Sequence, residues 1–247
     1  MIPQQTQILL RDLGVMDYRS AWDLQEKLFA EIVDRKIKTR NGEAISNPKS
    51  KIQNHLLLLE HPHVITLGRN GEMKNLIAQE EMLNARHVSF FKTNRGGDIT
   101  YHGPGQLVGY PILDLDFFFT DIGKYLRLLE QSIIDTMAEY GLKGERSPGE
   151  TGVWMETNSP SRARKICAIG VRCSRWVTMH GFAFNINTDL DFFNLIIPCG
   201  IQGKQVTSLQ KELGREIEMN EVKEKFISHF ATNFNAELIR QTENIPA

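Results

Sequence analysis

A glycine- and proline-rich run near the middle of the chain places the strongest constraint on its fold. Residues 95–111 read RGGDITYHGPGQLVGYP and contain five glycines and two prolines among charged and polar side chains. Glycine lets the main chain approach a ligand closely or adopt a positive φ, and an ordinary surface loop needs few such positions. Residues 107–113 (LVGYPIL) continue as a mostly apolar strand. The run therefore predicts a tight loop that enters a sheet and lines a pocket.

Hydrophobic periodicity and turn signals predict the remaining elements. Helices are expected at 16–35, 78–85, 122–140, 207–213 and 220–235. Strands are expected at 54–60, at 63–68 beside it, and at 88–93, 151–155, 165–173 and 177–187. Asp17 and Asn220 are expected to cap the first and last helices, Gly141 to end the third, and residues 35–51 to form a polar connection. No repeat or linker divides the chain, so this order predicts a single domain over 1–247, of class α+β, with a mixed, largely antiparallel sheet flanked by helices.

Composition narrows the classes of function. The chain has 247 residues, 41% hydrophobic and 24% charged, which is typical of a globular protein. A net charge of -1 gives no global attraction to nucleic acid or to a membrane, and neither is expected as a partner. No apolar stretch is long enough to span a bilayer, and residues 1–7 lack a secretory signal. Three cysteines without metal-like spacing suit a reducing compartment, so we expect a cytoplasmic protein.

Five groups of residues together resemble the signature of the octanoyl-[acyl carrier protein]:protein N-octanoyltransferases, also called lipoyl (octanoyl) transferases. The glycine-rich run is one of them. The others are EHP at 60–62 with TLGR at 66–69, RKICAIGVR at 164–172, HGFA at 180–183 with Asn185, and IPCGI at 197–201 with VTSL at 206–209. All follow the family's order along the chain. The resemblance implies the fold of the biotin and lipoate protein ligase catalytic domains.

Cys199 lies on an expected turn in the segment IIPCGI. Pro198 fixes the approach to it, and Gly200 permits a sharp turn whose backbone N–H groups could hold an oxyanion. From these residues alone, a buried and inert cysteine is the commoner case. The resemblance identifies Cys199 as the catalytic nucleophile.

A cysteine nucleophile needs a cation or a base close by, because its free pKa is about 8.5. Lys165 begins a strand that is otherwise apolar or small, and it follows Arg162 and Arg164. Two positive neighbours and burial would both favour its neutral form. An exposed lysine at a strand end is the commoner case from spacing alone. The resemblance implies that Lys165 is the catalytic base and that it then pairs with the thiolate.

The resemblance also implies an acyl-binding pocket. Small residues inside strands leave a groove for a straight acyl chain, and they would equally allow strands to pack closely. The expected substrate-binding residues are Arg95, Gly96, Gly97, Asp98, Ile99, Thr100, Tyr101, His102, Ala168, Ile169, Gly170, Gly181, Phe182 and Ala183. His61 and His63 are too few for a metal site, so none is expected. His180, Cys167 and Cys173 are assigned no role.

By resemblance, the chain is an acyltransferase of protein lipoylation. It would move an octanoyl group from octanoyl-acyl carrier protein, through a thioester on Cys199, to a lysine of a lipoyl domain. The acceptors would be the 2-oxoacid dehydrogenase E2 subunits and the glycine cleavage H protein. The acyl group arrives as a thioester, so neither ATP nor another cofactor is expected. Basic residues at 162–175 are either a dock for the acidic carrier or a solvated face.

Two alternatives remain open at this stage. An ATP-dependent lipoate or biotin protein ligase would share the fold, but it needs no cysteine nucleophile, and the IPCG segment argues against it. A non-catalytic acyl-binding protein would keep the pocket without needing both Cys199 and Lys165.

Overall fold

The computed structural model describes residues 5–42, 54–197 and 205–241, and these residues form two sheets and five helices. The strands are β1 Thr6–Val15, β2 Asn54–Glu60, β3 Val64–Leu67, β4 Ser89–Lys92, β5 Ile99–His102, β6 Gln106–Ile112, β7 Val153–Met155, β8 Arg164–Ser174, β9 Val177–Asn185, β10 Gln205–Val206 and β11 Ala236–Arg240. The helices are α1 Tyr18–Arg40, α2 Glu80–Ala85, α3 Ile122–Ala138, α4 Leu209–Leu213 and α5 Met219–Phe234.

The larger sheet has the strand order β10-β8-β9-β6-β2-β1-β11, and β7 pairs with β8. β2–β6, β6–β9, β7–β8 and β8–β9 pair antiparallel. β1–β2, β1–β11 and β8–β10 pair parallel. The expected α+β class with a mixed sheet is therefore confirmed.

The smaller sheet has the order β4-β3-β5. β3 was expected beside β2, and this placement is wrong. Both edges of β2 are already paired, one with β1 and the other with β6, so β3 pairs instead with β4 and β5. The glycine-rich run accordingly supplies a strand to each sheet, β5 to the smaller and β6 to the larger. The first half of the run was expected to be a loop, but residues 99–102 of it form β5.

The first helix begins as expected and ends later. Asp17 caps it by accepting a hydrogen bond from the Ser20 amide at 2.9 Å. The helix continues to Arg40, so residues 35–40 are helical and do not belong to the polar connection expected at 35–51. Lys36 explains the extension, because it bridges to Asp114 and Asp116 beyond β6. Residues 43–53 lie outside the described ranges.

The last helix is capped differently from the expectation. It begins at Met219 after Glu218, which makes no side-chain capping bond, so Asn220 is inside the helix and does not cap it. Asn235 ends the helix in the left-handed region at φ 48°, and β11 follows directly.

Helices cover both faces of the larger sheet. α3 and α5 pack on one face, where Phe182 of β9 lies 4.6 Å from Phe226 between ring centroids. α1 packs on the other face through Leu28 and Phe29. A third cluster of buried side chains fills the space beneath the smaller sheet. Among the described helices, none is both long and apolar enough to cross a membrane.

Candidate functional site

A cavity of about 670 Å³ opens between the glycine-rich run and strands β8 and β9. Nearly all the residues expected at the site line it: Arg95, Gly96, Gly97, Asp98, Ile99, Thr100, His102, Lys165, Ala168, Ile169, Gly170, Gly181, Phe182 and Ala183. Residues separated by up to 88 positions in the sequence therefore meet around one space.

Among the expected site residues that the structure describes, only Tyr101 does not line the cavity. Side chains alternate along a strand, so Tyr101 points away from the face that carries Thr100 and His102. Its ring stacks on Phe192 at 5.1 Å between centroids, and its hydroxyl lies 2.7 Å from Nδ1 of His63. Tyr101 is completely buried and supports the smaller sheet.

The cavity also has walls that the sequence did not assign. These are Tyr18, Asn70, Gln106, Tyr110, Leu126, Gly149, Glu150, Thr151, Val171, His180, Asn185, Phe193 and Val206. Gln106, Tyr110, Val171, His180, Asn185 and Val206 belong to the segments that resemble the octanoyltransferases, so that signal could have found them. Tyr18 and the 149–151 segment carry no local signal, because only the packing of α1 and of the α3–β7 connection brings them here.

Hydrogen bonds from the Arg95 guanidinium anchor the glycine-rich loop to β3. Its Nη2 donates to the backbone oxygen of Thr66 at 2.8 Å and to the Thr66 hydroxyl at 2.9 Å. The Gly96 amide donates to the backbone oxygen of Val171 at 2.8 Å. The buried guanidinium and this amide therefore tie the loop to β3 and to β8, so the cavity wall is held from two sides.

Two glycines in the expected groove are required by close backbone approach. A Cβ on Gly170 would lie 2.8 Å from the backbone oxygen of Gly96, and one on Gly181 would lie 2.1 Å from that of Gly109. Both distances are shorter than real Cβ contacts allow. The small residues thus allow the loop and strands to approach closely, and they also line the cavity.

His102 is held as a neutral imidazole. Gln106 donates from Nε2 to Asn185 at 2.9 Å, which turns its Oε1 toward Nδ1 of His102, also at 2.9 Å. Nδ1–H therefore donates, and Nε2, 3.3 Å from the Thr66 hydroxyl, is left as an acceptor. Burial, with the nearby His61 and Arg95, holds the pKa of His102 well below its usual value. Both ring nitrogens of His102 are hydrogen-bonded to protein groups, so the side chain contributes to the shape of the cavity wall.

Lys165 enters the cavity from the start of β8. Its Nζ lies 4.6 Å from the centre of the Trp154 ring, a cation–π contact, and its backbone oxygen accepts from the Thr207 amide at 2.9 Å. The two arginines that precede it are matched by acids. Arg164 pairs with Glu156 at 2.7 Å and with Glu212 at 2.6 Å. Arg162 also pairs with Glu156, at 3.0 Å, so both arginines have acidic partners.

Cys199 lies outside the described residues, but the chain on either side of it is placed. The Ile197 amide donates to the backbone oxygen of Asn75 at 2.7 Å. Asn75 in turn donates to Oδ2 of Asp98, in the cavity wall, at 2.8 Å. On the other side, Val206 pairs with Lys165. Val206 therefore lies in the cavity wall, and Ile197 is connected to that wall through Asn75 and Asp98.

The other two cysteines are poor nucleophiles. Cys167 is completely buried, and burial raises the pKa of its thiol well above the usual range. Burial also raises the pKa of Cys173. No group of three or more histidine, cysteine or acidic side chains within the described ranges could hold a metal ion.

The basic stretch at 162–175 does not form one positive surface. Arg172 pairs with Glu26 at 3.0 Å and lies over the Phe29 ring, on the α1 side of the sheet. Arg164 is matched by two acids, as above, and Lys165 turns into the cavity. Because Arg164 and Arg172 are paired with acids, most of this stretch is a compensated surface.

The fold and the cavity place this chain among the lipoyl protein ligase A/B catalytic domains. Residues 17–231 match the family model of the lipoyl protein ligase A/B catalytic domain. Octanoyltransferases of Christiangramia forsetii and Flavobacterium johnsoniae are each 60% identical to the chain over 233 residues, which is 94% of this chain and 97% and 98% of theirs. The chain belongs to this octanoyltransferase family and is an acyltransferase.

Solved structures support the same fold. Lipoate-protein ligase A bound with ATP has a TM-score of 0.67 at 13% identity, over 98% of this chain and 90% of the other. The bipartite lipoate protein ligase of Thermoplasma acidophilum has a TM-score of 0.67 at 14% identity, over 98% and 88%. The expected likeness to lipoate protein ligase catalytic domains is confirmed at the level of the fold.

Proposed function

We propose that this chain, as a single catalytic domain over 1–247, transfers an octanoyl group from acyl carrier protein to a lysine of a lipoyl domain through a thioester on Cys199. The observation that carries this proposal is the cavity in which Lys165 and the glycine-rich loop meet. The residues that line it include the apolar Ile99, Ile169 and Phe182. Each methylene buried there contributes about 0.8 kcal/mol, so an eight-carbon chain gains several kcal/mol.

Chain connectivity supports Cys199 as the nucleophile. It is two residues from Ile197, and two residues of extended chain span at most about 7 Å. Ile197 is hydrogen-bonded to Asn75 at the edge of the cavity. A segment of this length allows the Cys199 thiol to reach the space that Lys165 enters, whereas Cys167 is buried and Cys173 half-buried on β8.

In the first half of the reaction, Lys165 takes the proton of the Cys199 thiol, and the resulting thiolate attacks the thioester carbonyl of octanoyl-acyl carrier protein. The carbonyl oxygen becomes an oxyanion that backbone N–H groups can stabilise. The bond from the carbonyl carbon to the carrier sulfur then breaks. The carrier thiolate takes the proton back from Lys165 and leaves, and octanoyl-Cys199 remains.

In the second half, the ε-amine of the acceptor lysine attacks the octanoyl-Cys199 carbonyl. Lys165 accepts the proton that the amine loses as the amide bond forms. The carbon–sulfur bond breaks, and the Cys199 thiolate recovers the proton. A thioester is exchanged for an amide, so the transfer is downhill without ATP or another cofactor.

We propose lipoyl domains of 2-oxoacid dehydrogenase E2 subunits and the glycine cleavage H protein as acceptors. The structural neighbour from Thermoplasma acidophilum is described with its E2 lipoyl domain, which supports an acceptor of this kind. The cytoplasm, which keeps thiols reduced, would preserve the Cys199 nucleophile.

The test is intact mass spectrometry of the protein after mixing with octanoyl-acyl carrier protein in the absence of ATP. We expect a mass gain of one octanoyl group that is absent in Cys199→Ala and is lost when a lipoyl domain is added. Cys173→Ala is the matched control and should still be acylated. Labelling only with free octanoate and ATP would instead show a ligase, the activity suggested by the neighbour solved with ATP. Reversible binding without any transfer would show an acyl-binding protein.

A further inference from the structure

Asn185 is the last residue of β9 and lies where that strand leaves the edge of β8. β7 pairs with one edge of β8, at Lys165 and Cys167 among others, so β9 and β10 share the other edge. β9 pairs with residues 167–174 of that edge, and β10 pairs with Arg164 and Lys165. Asn185 is therefore at the junction of the two strands that border the proposed base.

The described part of β10 is short, so strand pairing alone fixes it weakly. It consists of Gln205, which is exposed, and Val206, whereas strands in proteins usually contain about five or six residues. One further bond extends its pairing with β8, from the Thr207 amide to the backbone oxygen of Lys165 at 2.9 Å. The placement of Lys165 by β10 therefore depends on what fixes Thr207.

Asn185 fixes Thr207 through a buried hydrogen bond. Its Nδ2 donates to the backbone oxygen of Thr207 at 2.9 Å, and both residues are buried. A backbone oxygen can only accept, so this contact settles which end of the Asn185 amide faces it. Oδ1 of Asn185 then accepts from Nε2 of Gln106 at 2.9 Å. One side chain thus connects β6, in the middle of the sheet, to the residue that follows β10.

The three polar groups of Thr207 all have partners. Its amide bonds to Lys165, its backbone oxygen accepts from Asn185, and its hydroxyl donates to Oε1 of Glu212. Glu212 in turn pairs with Arg164, so Thr207 is connected to both residues at the start of β8. A buried group that loses its partner costs more free energy than the bond contributed. The bond from Asn185 is therefore the part of this network that joins the start of β8 to β9.

We propose that Asn185 is a positioning residue of the transfer reaction, and that it sets the approach of Lys165 to the Cys199 thiol by holding Thr207. Without this donor the Thr207 oxygen is buried and unpaired, so Thr207 shifts toward another partner. Lys165 shifts with it, because its backbone oxygen is bonded to the Thr207 amide. A displacement of about 1 Å between reacting groups can lower a rate about 10²-fold. This inference rests on the proposed octanoyl transfer.

The test is the rate constant of Cys199 acylation by saturating octanoyl-acyl carrier protein, followed by rapid-quench intact mass spectrometry. The folded fraction of a variant changes the amplitude of this reaction and leaves the rate constant unaltered. We expect Asn185→Asp to react about 10- to 100-fold more slowly than the parent protein at pH 8, because a carboxylate has the same shape but cannot donate to Thr207. Asn185→Leu should be slowed to a similar extent, since it also lacks the donor.

The pH dependence of these two variants separates positioning from a general loss of packing. As the pH falls, the buried carboxyl of Asn185→Asp takes up a proton and can again donate to Thr207. We expect its rate constant, divided by that of the parent protein at the same pH, to rise at least about threefold between pH 8 and pH 6, whereas the ratio for Asn185→Leu stays constant. The same pH dependence in both variants would assign the slowing to lost packing and overturn the proposal.

Asn187→Asp is the matched control. Asn187 has the same pair of bonds as Asn185, since Nδ2 donates to the backbone oxygen of Ile217 at 2.7 Å and Oδ1 accepts from its amide at 3.0 Å. These bonds hold the connection between α4 and α5 and do not involve β10. We expect the rate constant of Asn187→Asp to stay within about twofold of the parent protein, because it shares no partner with Thr207. A parental rate constant in Asn185→Asp, or equal slowing in Asn187→Asp, would refute the role of Asn185.

The positioning role and the proposed function fail in different ways. If the parent protein takes no octanoyl group from the carrier, octanoyl transfer is wrong. The rate of Cys199 alkylation by iodoacetamide, measured by peptide mass spectrometry, then reports how well Lys165 reaches the thiol, because the thiolate is the reactive form. We expect both Asn185 variants to alkylate at least about threefold more slowly than the parent protein at pH 7, and Asn187→Asp to alkylate normally. Parental alkylation rates in both Asn185 variants would refute the positioning role by itself.

Discussion

Lys165 illustrates how single side chains are positioned at this site. Trp154, which is almost completely buried in β7, contacts Nζ of Lys165 with its ring face, and β10 pairs with the backbone of Lys165. Two neighbouring strands therefore orient one lysine toward the cavity. Its proposed work as a base depends on this placement, because proton transfer requires hydrogen-bond reach.

We expect Lys165→Ala to slow acylation of Cys199 by about 10²- to 10⁴-fold, the usual contribution of a positioned acid–base group. Rapid-quench intact mass measures the rate, and circular dichroism checks that the fold is kept. Lys165→Arg should be nearly as slow, since a guanidinium keeps the charge but does not release a proton near neutral pH. Retention of activity in the arginine variant would show that Lys165 acts by charge alone. The exposed Lys143 supplies a control, as Lys143→Ala should react normally.

Residue types and spacing identified most of the cavity wall in advance, and single contacts explain the exceptions. Tyr101 was included because it lies within the glycine-rich run, but strand alternation turns it away. His102 and His180 are hydrogen-bonded to Gln106 and Asn94, and the partners of these two amides fix the tautomer of each ring. Such pairings join distant parts of the chain, so no local pattern could reveal them.

At the scale of elements, α3 supports one wall of the cavity through a buried acid. Glu130 is completely buried, and its Oε1 accepts from the Gly152 amide at 3.0 Å. Its carboxylate also pairs with Arg127 at 2.9 Å and with Arg146 at 3.0 Å. The 149–151 segment, which lines the cavity, lies between these two anchor points.

Replacement of Glu130 should weaken both the contact of α3 with Gly152 and the cavity wall formed by residues 149–151. We expect Glu130→Ala to lower the free energy of unfolding by about 1–3 kcal/mol, because it leaves the buried Gly152 amide without its acceptor. Urea unfolding followed by circular dichroism measures the loss. Glu139→Ala, just beyond the end of the same helix, should cause a far smaller change, since the Glu139 side chain is 38% exposed whereas that of Glu130 is fully buried. Similar losses in the two variants would contradict the buried-anchor role of Glu130.

Element ends were predicted well where a local signal exists. Asp17 begins α1 as expected, and Gly141, just beyond α3, has a positive φ of 72°. The end of α1 was placed too early, because the ion pair of Lys36 with Asp114 and Asp116 is a tertiary contact. Asn220 was chosen as a cap for its residue type, but no side chain caps that helix.

At the scale of the whole molecule, the buried histidines make stability depend on pH. Burial lowers the pKa of His61 to about 4 and that of His180 to about 3, against an ordinary value near 6.5. Below pH 6.5 the unfolded chain therefore binds protons that the folded chain does not. The contribution of each group to stability is complete above that pH and is lost as the pH falls toward the folded value.

We expect the free energy of unfolding to fall by about 1.4 kcal/mol per pH unit for each such histidine between pH 6.5 and about 4. Urea titrations at pH 7, 6 and 5 measure the slope. His61→Gln should reduce the slope by one proton, although it is less stable at every pH because it alters the bonds to Met16 and Tyr110. An identical slope in this variant would show that His61 is not held neutral by the fold.

The order of strands in the larger sheet was beyond prediction for a different reason. β1 and β11 come from opposite ends of the described chain, yet they pair in parallel, with Thr6 opposite Ala236. Neither strand was expected from the sequence. Their stability comes from pairing and from packing on α5, which are non-local contacts, so their own residues carry too weak a signal.

The amino-acid sequence by itself determined the elements with strong periodicity, the glycine-rich loop and the set of chemically competent residues, because these depend on backbone freedom, side-chain spacing and residue type. Only the tertiary structure decided which faces those residues share, how α1 and α3 close the cavity, and which nitrogen of each buried histidine holds a hydrogen. The physical reason is that burial and hydrogen-bond partners come from chain segments far apart in sequence. These contacts exist only once the sheet is assembled.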